Sequence, residues 1–144
     1  MVNINEFSDK VFKTLQDYIE NKAEKTLSHN AIVRKRVIQT ETPLIVFETR
    51  ANTQNYVTQD YYGIERTRNL SFEIDIYAND LQKEKISSIK VCEDLENLVT
   101  YVMQYVYRMQ GGTDAKLYNI NNSKTTQFVL HFECEWFMNR NIIY

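Results

Sequence analysis

The sequence predicts an α+β fold, a mostly antiparallel sheet of four to five strands with an N-terminal helix and one long helix packed on one face. Three observations predict it. Leu70, Phe72, Ile74 and Ile76 alternate with Ser71, Glu73, Asp75 and Tyr77, the period of a strand with one buried face. From Ile86 to Met109 apolar residues recur at helical spacing. Phe128, Leu130, Phe132, Cys134 and Trp136 then alternate with Val129, His131, Glu133, Glu135 and Phe137.

The elements follow in order. Asn3 with Glu6 three residues on marks a helix start. Phe7, Val11, Leu15, Tyr18, Ile19 and Leu27 form one apolar stripe, predicting a first helix over about residues 4–27. Ser28-His29-Asn30 breaks that pattern, and Ala31–Gln39 is ambiguous between strand and loop. Pro43 suits the first residue of a strand, and Leu44-Ile45-Val46-Phe47 reads as a strand buried on both faces. Thr49–Tyr62 is a long polar loop carrying Tyr56, Tyr61 and Tyr62, and loops of that length are usually functional or mobile.

Ile64–Tyr77 is then one long strand. Asn79 is the expected cap of the second helix, with Gln82 at its third helical position. Val91, Leu95, Leu98, Val102, Tyr105 and Met109 follow a seven-residue repeat, widened by Ile89, Val99, Met103 and Val106. A helix of about 30 residues would be roughly 45 Å long. Gly111 or Gly112 is the expected left-handed stop. Ala115–Ile120 is a short strand, residues 121–124 a turn, and the last alternating strand closes the order α, β, β, α, β, β. Neighbouring segments of this kind favour hairpins and helices on one face.

Composition bounds the function. At 144 residues with 43% apolar content, the chain is expected to be a single domain, residues 1–144, with a real core. Three Gly and one Pro leave little for a phosphate loop. The net charge is −2, and residues 1–40 carry seven basic against five acidic groups, too little asymmetry for a dedicated DNA-binding protein. No apolar run reaches the ~20 residues of a membrane span, and the start lacks a secretory pattern, so a soluble chain without a membrane partner is expected. Cys92 and Cys134 read as reduced core residues. Ten Tyr suit half-buried surfaces that meet partners.

Candidate sites are few. His131, Glu133 and Glu135 share a strand face, but metal ligands normally converge from several elements and the only other His is His29. An ordinary strand surface is preferred there, no catalytic triad is assembled, and no catalytic residue, metal or cofactor is expected. If the two alternating strands pair, the polar faces bearing Glu73, Asp75, Glu133 and Glu135 coincide. Directly opposed like charges would destabilise that pair, so register offsets them, cations interleave, or the face is acidic for a purpose. Arg34-Lys35-Arg36 is a candidate basic contact. Three cations are too few for non-specific DNA affinity, and a surface loop or a strand edge, which such charges blunt, is preferred.

The strand start Thr42-Pro43-Leu44-Ile45-Val46-Phe47, the run Leu70-Ser71-Phe72-Glu73-Ile74-Asp75-Ile76-Tyr77-Ala78-Asn79 before a long helix, Asp114-Ala115-Lys116-Leu117-Tyr118-Asn119-Ile120, and the ending Asn141-Ile142-Ile143-Tyr144 form a layout. It resembles the tail-terminator, or tail-completion, proteins of long-tailed bacteriophages over nearly the whole chain. The resemblance implies a non-enzymatic homo-oligomer, a hexameric ring in the neck of the virion, assembled in the bacterial host cytoplasm. The ring caps the head-proximal end of the tail tube and stops tube growth. Its partners are the tail tube protein and a head-closure or connector protein, and DNA passes through its lumen without sequence-specific binding. Under it, Tyr56, Tyr61 and Tyr62 belong to a partner-facing or intersubunit loop, and part of the Glu73, Asp75, Glu133, Glu135 face lines the lumen. The alternatives are a head-closure or connector-adaptor neck protein and a small-ligand-binding α+β domain.

Overall fold

In the computed structural model the described residues are 4–22, 31–36, 43–52, 66–80, 86–118, 120 and 125–138. Helix α1 spans Ile4–Lys22; strand β1 spans Ile32–Arg34, β2 Leu44–Asn52 and β3 Arg66–Asn79. Helix α2 spans Ser88–Thr100 and runs on into a π-helix, Tyr101–Val106; β4 spans Gln110–Leu117 and β5 Thr125–Met138. The strands form one five-stranded sheet in the order β1-β2-β3-β5-β4. β1 is parallel to β2, and the other three pairings are antiparallel. The fold is α+β, as the periods predict.

Both helices cover the same face. Alternation in β3 sends Leu70, Phe72, Ile74, Ile76 and Ala78 inward, and β5 sends in Thr126, Phe128, Leu130 and Phe132, all buried. Val11, Leu15 and Ile19 of α1 and Val91, Cys92, Leu95 and Val99 of α2 close the core from above. Each large apolar side chain so buried contributes about 1.5–3 kcal/mol relative to exposure. Phe12 meets Phe47, and Phe7 meets Phe72, with ring centroids 5.5 and 6.5 Å apart, which ties α1 to β2 and β3. Leu44, Ile45, Val46 and Phe47 are all buried, so β2 is covered on both faces as its unbroken apolar run predicts. The Pro43 carbonyl accepts the Ile32 N–H at 3.1 Å, which joins β1 to the sheet at the start of β2.

The strand-to-helix junction differs from the expectation. Asn79 does not cap α2; it is the last residue of β3, paired with Thr125 of β5. The cap is Ser87, in an extended conformation, whose hydroxyl accepts the Lys90 N–H. The Asp80 carboxylate accepts the Ser88 N–H at 2.7 Å and so covers a second open donor at the same helix end. The helical run is accordingly shorter than the expected 30 residues, 13 α-helical and then six π-helical.

The π-helix also breaks the seven-residue repeat. The Tyr107 N–H reaches the Val102 carbonyl, five residues back, at 3.2 Å. The stripe beyond it differs from the regular repeat. Val102 and Met103 are both buried, whereas Tyr105 and Val106, expected on the apolar stripe, face solvent. Ile89, also expected there, is exposed. The left-handed residue that ends the run is Arg108, with φ 56°, and not Gly111 or Gly112. Both glycines already belong to β4, which begins at Gln110 and not at Ala115. The extension of α1 to residue 27 and the turn at residues 121–124 lie outside the described residues.

Candidate functional site

The register of the sheet decides what its outer face holds. Glu73 lies across from His131, Asp75 from Val129, Ser71 from Glu133 and Asn69 from Glu135. Register therefore offsets the carboxylates of β3 from those of β5, the first of the three resolutions open to the sequence. A like-charge pair lies on the other side instead, where Glu48 of β2 is directly opposite Glu73. The sequence did not single out Glu48, because it sits at the end of an apolar run. Its alternation out of phase with Phe47 was the available signal.

This outer face is graded. Glu133 is exposed, Glu73 and Asp75 are half-buried, and Val46, directly across from Asp75, is buried. Tyr77 marks the more apolar end. Its hydroxyl accepts the Gln127 Nε2–H at 3.0 Å, and it also hydrogen-bonds the Asp75 side chain. Burial pushes the Tyr77 phenol up, and the nearby charges of Asp75 and then Glu73 push it further. The phenol therefore stays a neutral donor beside the carboxylate across the physiological range.

The three candidate cations do not form one patch. Lys35 is committed to α1: its ammonium lies 2.9 Å from an Asp9 carboxylate oxygen and 4.9 Å from the Phe12 ring centroid. Arg34 closes edge strand β1 and donates to the Val33 carbonyl at 3.0 Å, and Arg36 is exposed just beyond. Of the surface loop and the strand edge left open by the sequence, the structure has the edge, with Arg34 on its outermost strand. The expected loop does not begin at Thr49, because β2 keeps its pairing with β3 through Asn52; Tyr56, Tyr61 and Tyr62, with residues 53–62, lie outside the described residues. Among the described residues no group of three His, Cys, Asp or Glu side chains is arranged to hold a metal ion. A shallow depression is lined, among the described residues, by Glu6, Asp9, Lys10 and Lys13, all from α1. No described helix is long and apolar enough to cross a membrane.

The sequence missed an aromatic ladder. Tyr18 of α1 stacks on Tyr101, with centroids 5.3 Å apart and rings 22° from parallel. Tyr101 stacks in turn on Tyr105 at 5.6 Å and 23°. Burial, and then the neighbouring Tyr101, raises the Tyr18 phenol. Two residues beyond the ladder the chain turns the other way: the Tyr107 hydroxyl donates to Thr14 Oγ1 at 2.8 Å, and its ring meets Phe7 edge-on at 5.9 Å. The π-helix is thus clamped to α1 while Tyr101 and Tyr105 face outward. Tyr101 and Tyr105 are four residues apart, a spacing visible in the sequence, but a regular repeat puts Tyr105 in the core.

No protein-family model matches the chain, and no curated protein matches it. Among solved structures it is similar to the bacteriophage SPP1 gp17 protein, with a TM-score of 0.41 and 11% identity over 93% of this chain and 95% of that one.

Proposed function

We propose that the protein is a non-enzymatic structural component of a bacteriophage tail, a tail-terminator subunit. It forms a ring at the head-proximal end of the tail tube, stops tube growth and presents a docking surface to the head connector, with DNA passing through the lumen. The observation that carries this reading is the order of elements: an N-terminal helix, β2 and β3 as one antiparallel pair, a long helix, then β4 and β5 as a second, with both helices on one face. It is the layout on which the sequence resemblance rests. The stacked, outward-facing tyrosines support it further, since aromatic side chains are enriched where proteins meet.

The test is genetic and visual. Particles assembled without the protein are expected to show tails of uncontrolled length that fail to join heads. Normal-length tails joined to heads in its absence overturn the reading. Imaging of intact particles is expected to place the protein against tube subunits; density confined to the portal side assigns it to a head-closure or connector-adaptor role instead.

A further inference from the structure

We propose that Tyr18, Tyr101 and Tyr105 form an oxidative cross-linking site, at which a peroxide-fed one-electron oxidant of the haem peroxidase class closes a dityrosine bridge between Tyr18 and Tyr101. The inference stands apart from the tail reading and rests on ring geometry. Tyr101 stacks on Tyr18 with centroids 5.3 Å apart and rings 22° from parallel. Tyr105 continues the stack from Tyr101 at 5.6 Å and 23°. Tyr101 and Tyr105 are 46% and 68% exposed, while Tyr18 is half-buried.

Three features favour coupling in this stack. Phenol lies against phenol, and offset stacked rings at such separations bring ring carbons close to van der Waals contact, about 3.5–4.0 Å. Tyr107 and Tyr118 instead meet Phe7 and Phe128 edge-on, at 89° and 88°, and a phenylalanine ring has no phenol to oxidise. The second feature is access. A bulky oxidant reaches the two outer rings directly, and contact along the stack carries the oxidation to Tyr18. The third is anchorage. Ile19 beside Tyr18 and Val102 beside Tyr101 are both fully buried. One turn before Tyr18, Thr14 accepts the Tyr107 hydroxyl at 2.8 Å and ties the same two elements together. Groups held at a fixed separation react as one molecule, with a high effective concentration. Coupling between separate chains in dilute solution lacks that advantage. Of the two rings that Tyr101 touches, Tyr18 is the nearer.

The step balances. Each phenol gives up one electron and its hydroxyl proton to the oxidant. The two phenoxyl radicals join through the ring carbons next to their oxygens. The hydrogens on those carbons then move to the oxygens, which restores two phenols joined by one new carbon–carbon bond. One hydrogen peroxide takes up the two electrons and two protons and leaves as two waters. The product is a covalent tie between α1 and the π-helix. A bond between residues far apart in the chain removes conformational freedom from the unfolded state, so the bridged protein is the more stable one.

The experiment treats the dilute full chain with a haem peroxidase and hydrogen peroxide. Dityrosine fluorescence, peptide mapping by mass spectrometry and thermal unfolding are the readouts. The expected product is a single chain in which the peptide bearing Tyr18 is joined to the peptide bearing Tyr101, with a raised unfolding midpoint. Tyr18→Phe and Tyr101→Phe, checked for folding by circular dichroism, are each expected to remove that joined peptide and the rise in midpoint. Tyr105→Phe is expected to keep both. Wild type oxidised in urea, where the stack is lost, is expected to yield the joined peptide roughly tenfold less or lower. A folded wild type that gives no Tyr18–Tyr101 bridge, or one that bridges only Tyr101 to Tyr105, overturns the proposal. So does an equal yield of the bridge in urea, because the folded geometry would then contribute nothing.

Discussion

Gly111 lies so close to His131 across the β4–β5 pair that a β-carbon on Gly111 would sit 2.0 Å from the His131 carbonyl oxygen. Its φ of 130° is also a conformation that only glycine adopts without strain. The glycine therefore belongs to the sheet, at the point where the chain leaves the helical layer. Gly111→Ala is expected to destabilise the fold by about 1–3 kcal/mol or more. At Gly112 a β-carbon would meet nothing within 4 Å, so Gly112→Ala is the matched control with a small effect. Urea denaturation of the two variants checks the difference.

Ser88 and Thr126 join α2 to β5 through a buried hydroxyl pair 2.7 Å apart. Thr126→Val removes one partner and leaves the Ser88 hydroxyl to bear its desolvation, an expected loss of about 1–3 kcal/mol. Combining it with Ser88→Ala is expected to cost less than the sum of the single changes. A double-mutant cycle measured by thermal or urea unfolding reads that coupling directly.

Cys92 is buried beneath α2 with its thiol 3.5 Å from the Thr126 carbonyl, and Cys134 is half-buried in β5. Burial pushes the Cys92 thiol up to about 12, with Glu96 and Glu93 adding to it. It pushes Cys134 up to about 11, with Glu133 adding to it. Both are expected to resist thiol-specific reagents at neutral pH until the protein unfolds. The sign of the stability effect follows from linkage. A thiol whose pKa is higher folded than unfolded contributes fully below the unfolded value, and the contribution is lost as pH rises towards the folded one. Wild-type stability is therefore expected to fall from about pH 9 to about pH 12 more steeply than that of Cys92→Ala.

Tyr107 anchors the π-helix to α1 through its 2.8 Å hydrogen bond to Thr14. Tyr107→Phe keeps the ring contact with Phe7 and removes only the hydroxyl, an expected cost of about 0.5–1.5 kcal/mol. Hydrogen exchange is expected to rise in residues 101–107 before the rest of the core. Equal acceleration throughout the sheet would show that the clamp is not local.

Several features were legible because they follow from nearest-neighbour periodicity. The alternation of β3 and β5 named their buried residues, and the unbroken run of β2 named a strand covered twice. Arg34 was readable only as a surface loop or edge position, because cations interrupt the β-formers there, and the pairing of β1 with β2 made it an edge. The helix junction was less legible. The sequence reading places the cap at Asn79 and passes over Ser87. Asn79 is excluded because β3 keeps its pairing with β5 as far as that residue, and α2 is capped by Ser87.

The sequence by itself determined the α+β class, the two strands that make the centre of the sheet, and the side chains that fill the core. Each depends on a period of two or of helical spacing, which backbone geometry imposes locally. Tertiary structure alone decided the register, and with it that Glu73 faces His131 on one side and Glu48 on the other. It also decided the π-helix. A regular repeat carries Tyr105 into the core, but the wider turn that buries Val102 and Met103 together turns Tyr105 outward to stack on Tyr101. That phase shift goes with the packing of the π-helix on α1, an element distant in sequence, to which Tyr107 ties it.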